Sequence, residues 1–219
     1  APLHLSQLVI PLMKACGGGW ILNLSSVTSK LPPPAPYDPN ERAYRFHTTH
    51  SPTLYGSTKA ALERMSTGMA MEVAADNVAV NTLAPVEAVA SEGALKSGSI
   101  DDIAHMEPIE AMAEAALALC SRPQSTLSGR ISLSLPLLRE LGTSAGAGPF
   151  DGQPGRRSGV VVSCVDSTWV GARVVHWTSA VVLPGVRRRC LSADGVLVPP
   201  QEAGLGSRAT LSAFLSRVL

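Results

Sequence analysis

Tyr55 and Lys59 stand four residues apart in the stretch "LYGSTKAALERM", in a chain that holds only three tyrosines and four lysines. At that spacing two side chains share one face of a helix. A phenol, with a pKa of about 10, is a poor base near neutrality. A neighbouring ammonium favours the phenolate and brings the phenol towards the range where it can exchange a proton with a substrate oxygen. Ser26 ends the apolar run "WILNLSS", where its hydroxyl could hydrogen-bond the same oxygen. Such a Tyr/Lys spacing arises by chance in about one chain in twenty of this composition, so its flanks decide its weight.

The elements that must position these residues can be read from periodicity. Leu5, Leu8, Val9, Leu12 and Met13 recur at helical spacing, and Cys16-Gly17-Gly18-Gly19 stops that helix, since glycine accepts the left-handed conformation at a helix end. "WILNLSS" suits a buried strand. Residues 27–54, rich in proline and polar groups, read as a long loop. In the helix that follows, Leu62, Met65, Met69 and Val73 form one face and Glu63, Arg64 and Glu72 lie off it. Asp76-Asn77 closes it, "VAVNTLAPV" is the next strand, and Pro85 ends that strand. Residues 86–107 read as a loop with a short helix, "EPIEAMAEAALALCS" as a helix with Pro108 in its first turn, and "LSGRISLSLPLL" as a last strand. Residues 1–141 thus alternate helix and strand three times, the pattern of a parallel sheet with helices on its faces.

Composition changes after Leu141. Residues 142–219 hold 8 Arg, no Lys and 4 acids, net +4, and 11 of the 19 glycines; residues 1–141 hold 10 basic and 13 acidic residues, net −3. The second segment reads as a poorly structured, irregular Gly/Arg-rich extension. Its short Val-rich runs "GVVVSCV" and "SAVVL" leave a small β-rich appendage as one alternative, and a sequence never selected to fold here as another. The net charge of +1 over 219 residues gives no general pull towards nucleic acid or membrane. The four cysteines, at 16, 120, 164 and 190, are too far apart in sequence for a metal knuckle or redox pair, and suit a reducing, cytoplasmic setting. No apolar run is long enough to span a bilayer. The apolar start "APLHLSQLVIPLM" lacks the basic leader and cleavage site of a signal peptide and reads as the interior of a longer chain.

Taken in order, "WILNLSS", "YGSTKAALERMSTGMAMEVAADNVAVNTLAPV", "GALKSGSIDDIAHMEPIEAMAEAALALCS" and "LSGRISLSL" resemble the C-terminal half of a short-chain dehydrogenase/reductase, over about residues 3–141. The resemblance implies an α/β fold, an incomplete doubly wound, Rossmann-like parallel sheet, with residues 142–219 as an unrelated extension. It implies Ser26, Tyr55 and Lys59 as catalytic residues. Ser26 would orient the substrate oxygen and Tyr55 would act as general acid/base. Lys59 would lower the tyrosine pKa and bond the nicotinamide ribose. Tyr55, Lys59, Pro85, Val86 and Val89 would contact NAD or NADP, the last three through the backbone beside the carboxamide. The implied reaction is hydride transfer between NAD(P) and a small-molecule carbonyl or secondary alcohol. A homo-oligomeric contact through the 55–75 helix is implied as well.

The chain departs from the family pattern at several points. Nothing in it matches the Gly-x-x-x-Gly-x-Gly turn that holds the cofactor pyrophosphate. Gly17-Gly18-Gly19 follows a helix and precedes a strand, the wrong order for a phosphate cradle. Val86 stands where the family usually has glycine. Dinucleotide binding by this chain alone is therefore expected to be weak or absent. A non-catalytic remnant that serves as an interaction module is the alternative, and a third class is a binding module built on the Arg/Gly segment. The stretch between Ser26 and Tyr55, with Tyr37, Tyr44, Phe46, His47 and His50, could line or cover a substrate pocket. His47 and His50 have no evident third ligand, so no metal is expected. Arg187-Arg188-Arg189 reads as a solvated turn.

Overall fold

In the computed structural model, residues 2–89, 106–143, 159–166 and 176–182 are described. Helix α1 (Pro2–Ala15) leads into strand β1 (Gly19–Leu24), a short 3-10 turn (Val27–Ser29), helix α2 (Arg42–His50) and the long helix α3 (Thr53–Glu72). Strand β2 (Val78–Ala84), helix α4 (Ile109–Ser121), strand β3 (Ile131–Leu133) and helix α5 (Ser134–Glu140) follow. Strands β4 (Gly159–Asp166) and β5 (His176–Val182) come last.

The five strands form one sheet in the order β3-β2-β1-β4-β5. β1 pairs in parallel with β2, from Gly19 opposite Val78 to Leu24 opposite Leu83, and β2 pairs in parallel with β3. This is the parallel α/β arrangement expected of residues 1–141. On its other edge β1 pairs in parallel with β4, from Gly19 opposite Gly159 to Leu24 opposite Cys164. β5 pairs antiparallel to β4. Both Val-rich runs of the 142–219 segment are thus strands of the same sheet, and the break in composition at 142 is not a break in the sheet.

The helices lie on both faces because β1 and β2 are apolar on both. On one face Ile21, Val78 and Val80 pack with Val9 and Met13 of α1 and with Met69, Ala70 and Val73 at the end of α3. On the other, Leu22, Leu24 and Leu83 pack with Ala111, Met112, Ala115 and Leu119 of α4 and with Leu137 and Leu138 of α5. No helix of the described residues is long and apolar enough to cross a membrane.

Several expectations are corrected. The loop expected over 27–54 contains helix α2, which sequence periodicity hides because none of its residues is buried. Leu8 and Leu12 are exposed, so only part of the expected apolar face of α1 meets the core. The last strand is three residues long and runs straight into α5, with Pro136 in the first helical turn, where a missing N–H removes no helical bond. Pro108 precedes α4 as its N-cap residue rather than lying within the first turn. The short helix expected within 86–107 and the readings of Arg187–Arg189, Cys164 and Cys190 fall on residues or side chains outside the described ones.

Candidate active site

The site is built where the C-terminal end of β1 meets one face of α3. Four α3 residues at helical spacing (56, 59, 63 and 66) touch the segment from Asn23 to Ser29. At the far end Asn23 Nδ2 donates to Ser66 Oγ at 2.8 Å, and Ser66 Oγ donates in turn to the Leu62 carbonyl. Next, Glu63 Oε1 accepts from Ser25 Oγ at 2.5 Å and from Ser29 Oγ at 2.8 Å. Lys59 Nζ then donates to the carbonyl of Leu24, the last residue of β1, at 2.8 Å. Finally, Gly56 lies so close to the 3-10 turn that a Cβ built on it would come within about 2.4 Å of the Thr28 carbonyl oxygen. Only a glycine lets the helix start approach this near.

Lys59 is 2% exposed, with its Nζ 5.4 Å from the centroid of the Tyr55 ring, over its face. An ammonium there is attracted by the ring quadrupole, and more so by a phenolate. Tyr55 itself is half-buried. Ser26 caps the 3-10 turn: its Oγ accepts from Thr28 N–H at 3.3 Å and from Thr28 Oγ1–H at 3.0 Å. A hydroxyl oxygen has two acceptor positions, so both are taken, and what Ser26 has left to offer is its proton. Ser26, Tyr55 and Lys59 therefore sit on two elements locked together.

The segment that follows β2 carries the other expected site residues, Pro85, Val86 and Val89. Val86 N–H donates to Glu107 Oε2 at 2.8 Å, and Glu107 N–H donates to the Ala88 carbonyl at 2.7 Å. Val89 and Glu107 form an isolated parallel bridge. Glu107 is 3% exposed, and its Oε1 is buried without a hydrogen-bond partner among the described residues. Val86, expected to offer its backbone to a nicotinamide carboxamide, thus has its N–H taken by this carboxylate. The nearby Arg42 joins α2 to the same segment through a two-pronged pair with Glu87, at 2.9 and 2.5 Å. The aromatic residues of the 37–50 stretch pair with one another, Tyr37 with Tyr44 and Phe46 with His47 and His50. Among the described residues no group of three or more His, Cys, Asp or Glu is placed to hold a metal.

Sequence reasoning put Glu63 off the apolar face of α3 and gave it no role; it is half-buried and bonded to two serines. The signal was available, since 55, 59 and 63 are each four residues apart. Thr28 was also missed, although Ser-x-Thr is a common local turn pattern. Glu107 gave no local signal, being 21 residues from the amide it binds. The two motif asparagines are fully buried: Asn23 ties β1 to α3, while Asn81 donates to the Leu127 carbonyl and accepts from Arg130 N–H, fixing the approach to β3.

No family profile matches the chain. Curated relatives do. A 7alpha-hydroxysteroid dehydrogenase of Escherichia coli is 33% identical over 138 residues, which cover 58% of this chain and 47% of the relative. A tropinone reductase homolog of Arabidopsis thaliana is 35% identical over 82 residues, covering 37% of this chain and 25% of the relative. The chain thus spans between a quarter and half of the length of these relatives. A solved hydroxysteroid dehydrogenase structure from Escherichia coli aligns with a TM-score of 0.44 at 29% identity, over 67% of this chain and 51% of that one. The sequence relatives, the parallel sheet and the order of the Asn23-x-Ser25-Ser26, Tyr55-x-x-x-Lys59 and Asn81-x-x-x-Pro85 segments agree, and the described part of the chain is similar to part of a short-chain dehydrogenase/reductase.

Proposed function

We propose that the junction of β1 and α3 is the proton-transfer half of an oxidoreductase site that interconverts a small-molecule carbonyl and a secondary alcohol. The observation that carries this reading is the buried Lys59 ammonium over the Tyr55 ring, held there by the Leu24 carbonyl. In the reductive direction Tyr55 gives its phenolic proton to the substrate oxygen as negative charge develops there. Lys59 holds the phenolate that remains. Ser26, with its acceptor positions occupied by Thr28, donates its hydroxyl proton as a hydrogen bond to the same oxygen. NAD(P), when bound, supplies the hydride to the carbonyl carbon or takes it in the reverse direction. One relative is named a 7alpha-hydroxysteroid dehydrogenase, and a hydroxysteroid is one candidate within the substrate class.

The described residues suit only one end of such a cofactor. In this reading Tyr55 and Lys59 would meet the nicotinamide ribose, and Pro85, Val86 and Val89 would lie on the carboxamide side. Among the described residues the glycines with positive φ, at 17, 18, 129 and 142, all lie before a strand or after a helix, and none lies between a strand end and a helix start. A pyrophosphate has no cradle among them. We therefore expect this chain alone to bind NAD(P) weakly or not at all, and to be impaired as an enzyme.

Two measurements test the reading. With Tyr37 and Tyr44 replaced by Phe, Tyr55 is the one tyrosine left, and phenolate absorbance titrates it directly. Lys59→Ala is expected to raise the midpoint, because the charge that favours the phenolate is gone; an unmoved midpoint would overturn the assignment. Titration of the purified chain with NADH and NADPH is expected to show no saturable binding, and tight binding of either would remove the proposed impairment.

A second reading, a non-catalytic interaction module, draws on the outer surface of α1 and α3. Leu3, Leu8 and Leu12 on α1 and Leu54 and Met71 on α3 are large apolar side chains in solvent. Self-association through α3 would be shared by both readings. Sedimentation of the full chain against a chain with Met71→Lys and Leu54→Lys is expected to show dissociation if that helix carries the contact.

A further inference from the structure

We propose that Glu63 is the positioning residue of this site, one that sets both the Lys59 ammonium and the Ser26 hydroxyl without touching substrate. The proposal rests on the reading of Tyr55 and Lys59 given above and deepens it.

One oxygen of Glu63 accepts the hydroxyl protons of Ser25 and Ser29, which flank Ser26 in the turn after β1. Two anchors across a five-residue turn fix its orientation as well as its distance. Hydroxyl bonds to a carboxylate are charge-assisted, shorter and stronger than bonds between neutral groups. The 2.5 Å contact with Ser25 is of that kind.

The Leu24–Ser25 peptide unit lies at the centre of the arrangement. Its N–H donates to the Leu83 carbonyl of β2 at 2.8 Å, and its carbonyl accepts from Lys59. The side chain that immediately follows this unit is Ser25, held by Glu63. The carbonyl that anchors the amine is therefore fixed by β2 on one side and by Glu63 on the other. Releasing Ser25 and Ser29 frees the turn that carries Ser26 and loosens the acceptor that keeps Lys59 over Tyr55. Glu63 also lies on the same helix as Tyr55 and Lys59, so the helix supplies its own register against β1.

A charge effect and a positioning effect of Glu63 have opposite signs, which makes them separable. If Glu63 acted on Tyr55 only as a nearby negative charge, removing it would favour the phenolate, and Glu63→Gln and Glu63→Ala would lower the Tyr55 midpoint alike. If Glu63 positions Lys59, Glu63→Ala raises the midpoint, because the amine loses its anchor. Glu63→Gln, which keeps an acceptor oxygen, leaves it at or slightly below the parent value.

The experiment is the phenolate titration in the full chain carrying Tyr37→Phe and Tyr44→Phe, with Glu63→Ala, Glu63→Gln, the double variant Ser25→Ala/Ser29→Ala, and Lys59→Ala. The expected result is an upward shift for Glu63→Ala and for the serine double variant, with the glutamine variant restoring the midpoint. The serine variant removes the same two bonds with the carboxylate intact, so it answers the question even where Glu63→Ala does not fold. Equal downward shifts for both Glu63 variants, or a serine variant that titrates like the parent, overturn the proposal. A Lys59→Ala chain with an unmoved midpoint instead overturns the reading on which it rests.

Discussion

Gly56 follows Tyr55 directly and decides how closely the start of α3 can lie against the turn that carries Ser26. An alanine there would drive its Cβ to within about 2.4 Å of the Thr28 carbonyl oxygen, which belongs to backbone and cannot swing away. Overpacking of this kind costs typically about 1–3 kcal/mol, against a helix-propensity gain of about 1 kcal/mol from replacing glycine. Gly68, further along the same helix, is the control: an added Cβ meets only the end of the Arg64 side chain, at 3.0 Å. Urea denaturation should find Gly56→Ala less stable than the parent and Gly68→Ala as stable or more so. In Gly56→Ala the Tyr55 midpoint should move as well, since the helix start must shift. At the same scale, burial pushes the Cys120 thiol up to about 12. Cys120 should stay unmodified by iodoacetamide near neutral pH while exposed Cys16 reacts, as read by peptide mass spectrometry. A thiol whose pKa is higher in the folded than in the unfolded chain lends stability that is fully present below about pH 9, its ordinary value, and is lost as pH rises towards 12.

Among the elements, α3 shows most clearly what a sequence discloses. Its apolar positions recur with helical period, and Leu62, Met69 and Val73 are buried as that period requires. Its polar positions were harder to read, because period alone cannot say which polar residues face a neighbour. Lys59 and Glu63 are part of the contact with β1, whereas Arg64 and Glu72 are exposed, and all four look alike in a hydropathy pattern. The Tyr-x-x-x-Lys spacing was legible because both side chains come from one helical turn. The partners of Lys59 and Val86 were not, since Leu24 and Glu107 are brought to them by tertiary packing over 35 and 21 residues. Helix α2 escaped for a different reason: it has no buried residue, so no stripe marks it. Its visible tie is Arg42 to Glu87, with the Arg42 side chain largely in solvent and that of Glu87 half-buried. Exposed pairs of this sort contribute about 0.2–1 kcal/mol and weaken with salt. Arg42→Ala should therefore leave the denaturation midpoint nearly unchanged while amide exchange within 42–50 quickens, most visibly at low salt. Unchanged exchange would mean that α2 is held by something other than this pair.

For the molecule as a whole, the decisive feature is that β1 lies inside the sheet. Its six residues pair with β2 on one side and with β4 on the other, although β4 comes from the segment whose composition differs from the rest. Without β4, the N–H and C=O groups along that side of β1 would face solvent next to Ile21, Leu22 and Leu24, which are all buried. An exposed, apolar, six-residue strand edge is a template for pairing with another chain. We propose that residues 1–141 form the Rossmann-like part and that the 142–219 segment completes it by covering this edge. Ending the chain after Thr143 should uncover the edge while leaving α1 to α5 in place. Light scattering and size exclusion should then show concentration-dependent association of the shortened chain, with amide exchange at Trp20, Leu22 and Leu24 faster in whatever monomer remains. A second short edge gives the comparison: β3 pairs with β2 over three residues, and its Ile131 is already exposed. Too short to template a ladder, it should not drive association in the full chain. If the shortened chain stays monomeric and melts where the full chain does, pairing between β4 and β1 contributes nothing to the fold, and the Arg/Gly segment must be explained by what it binds rather than by what it covers.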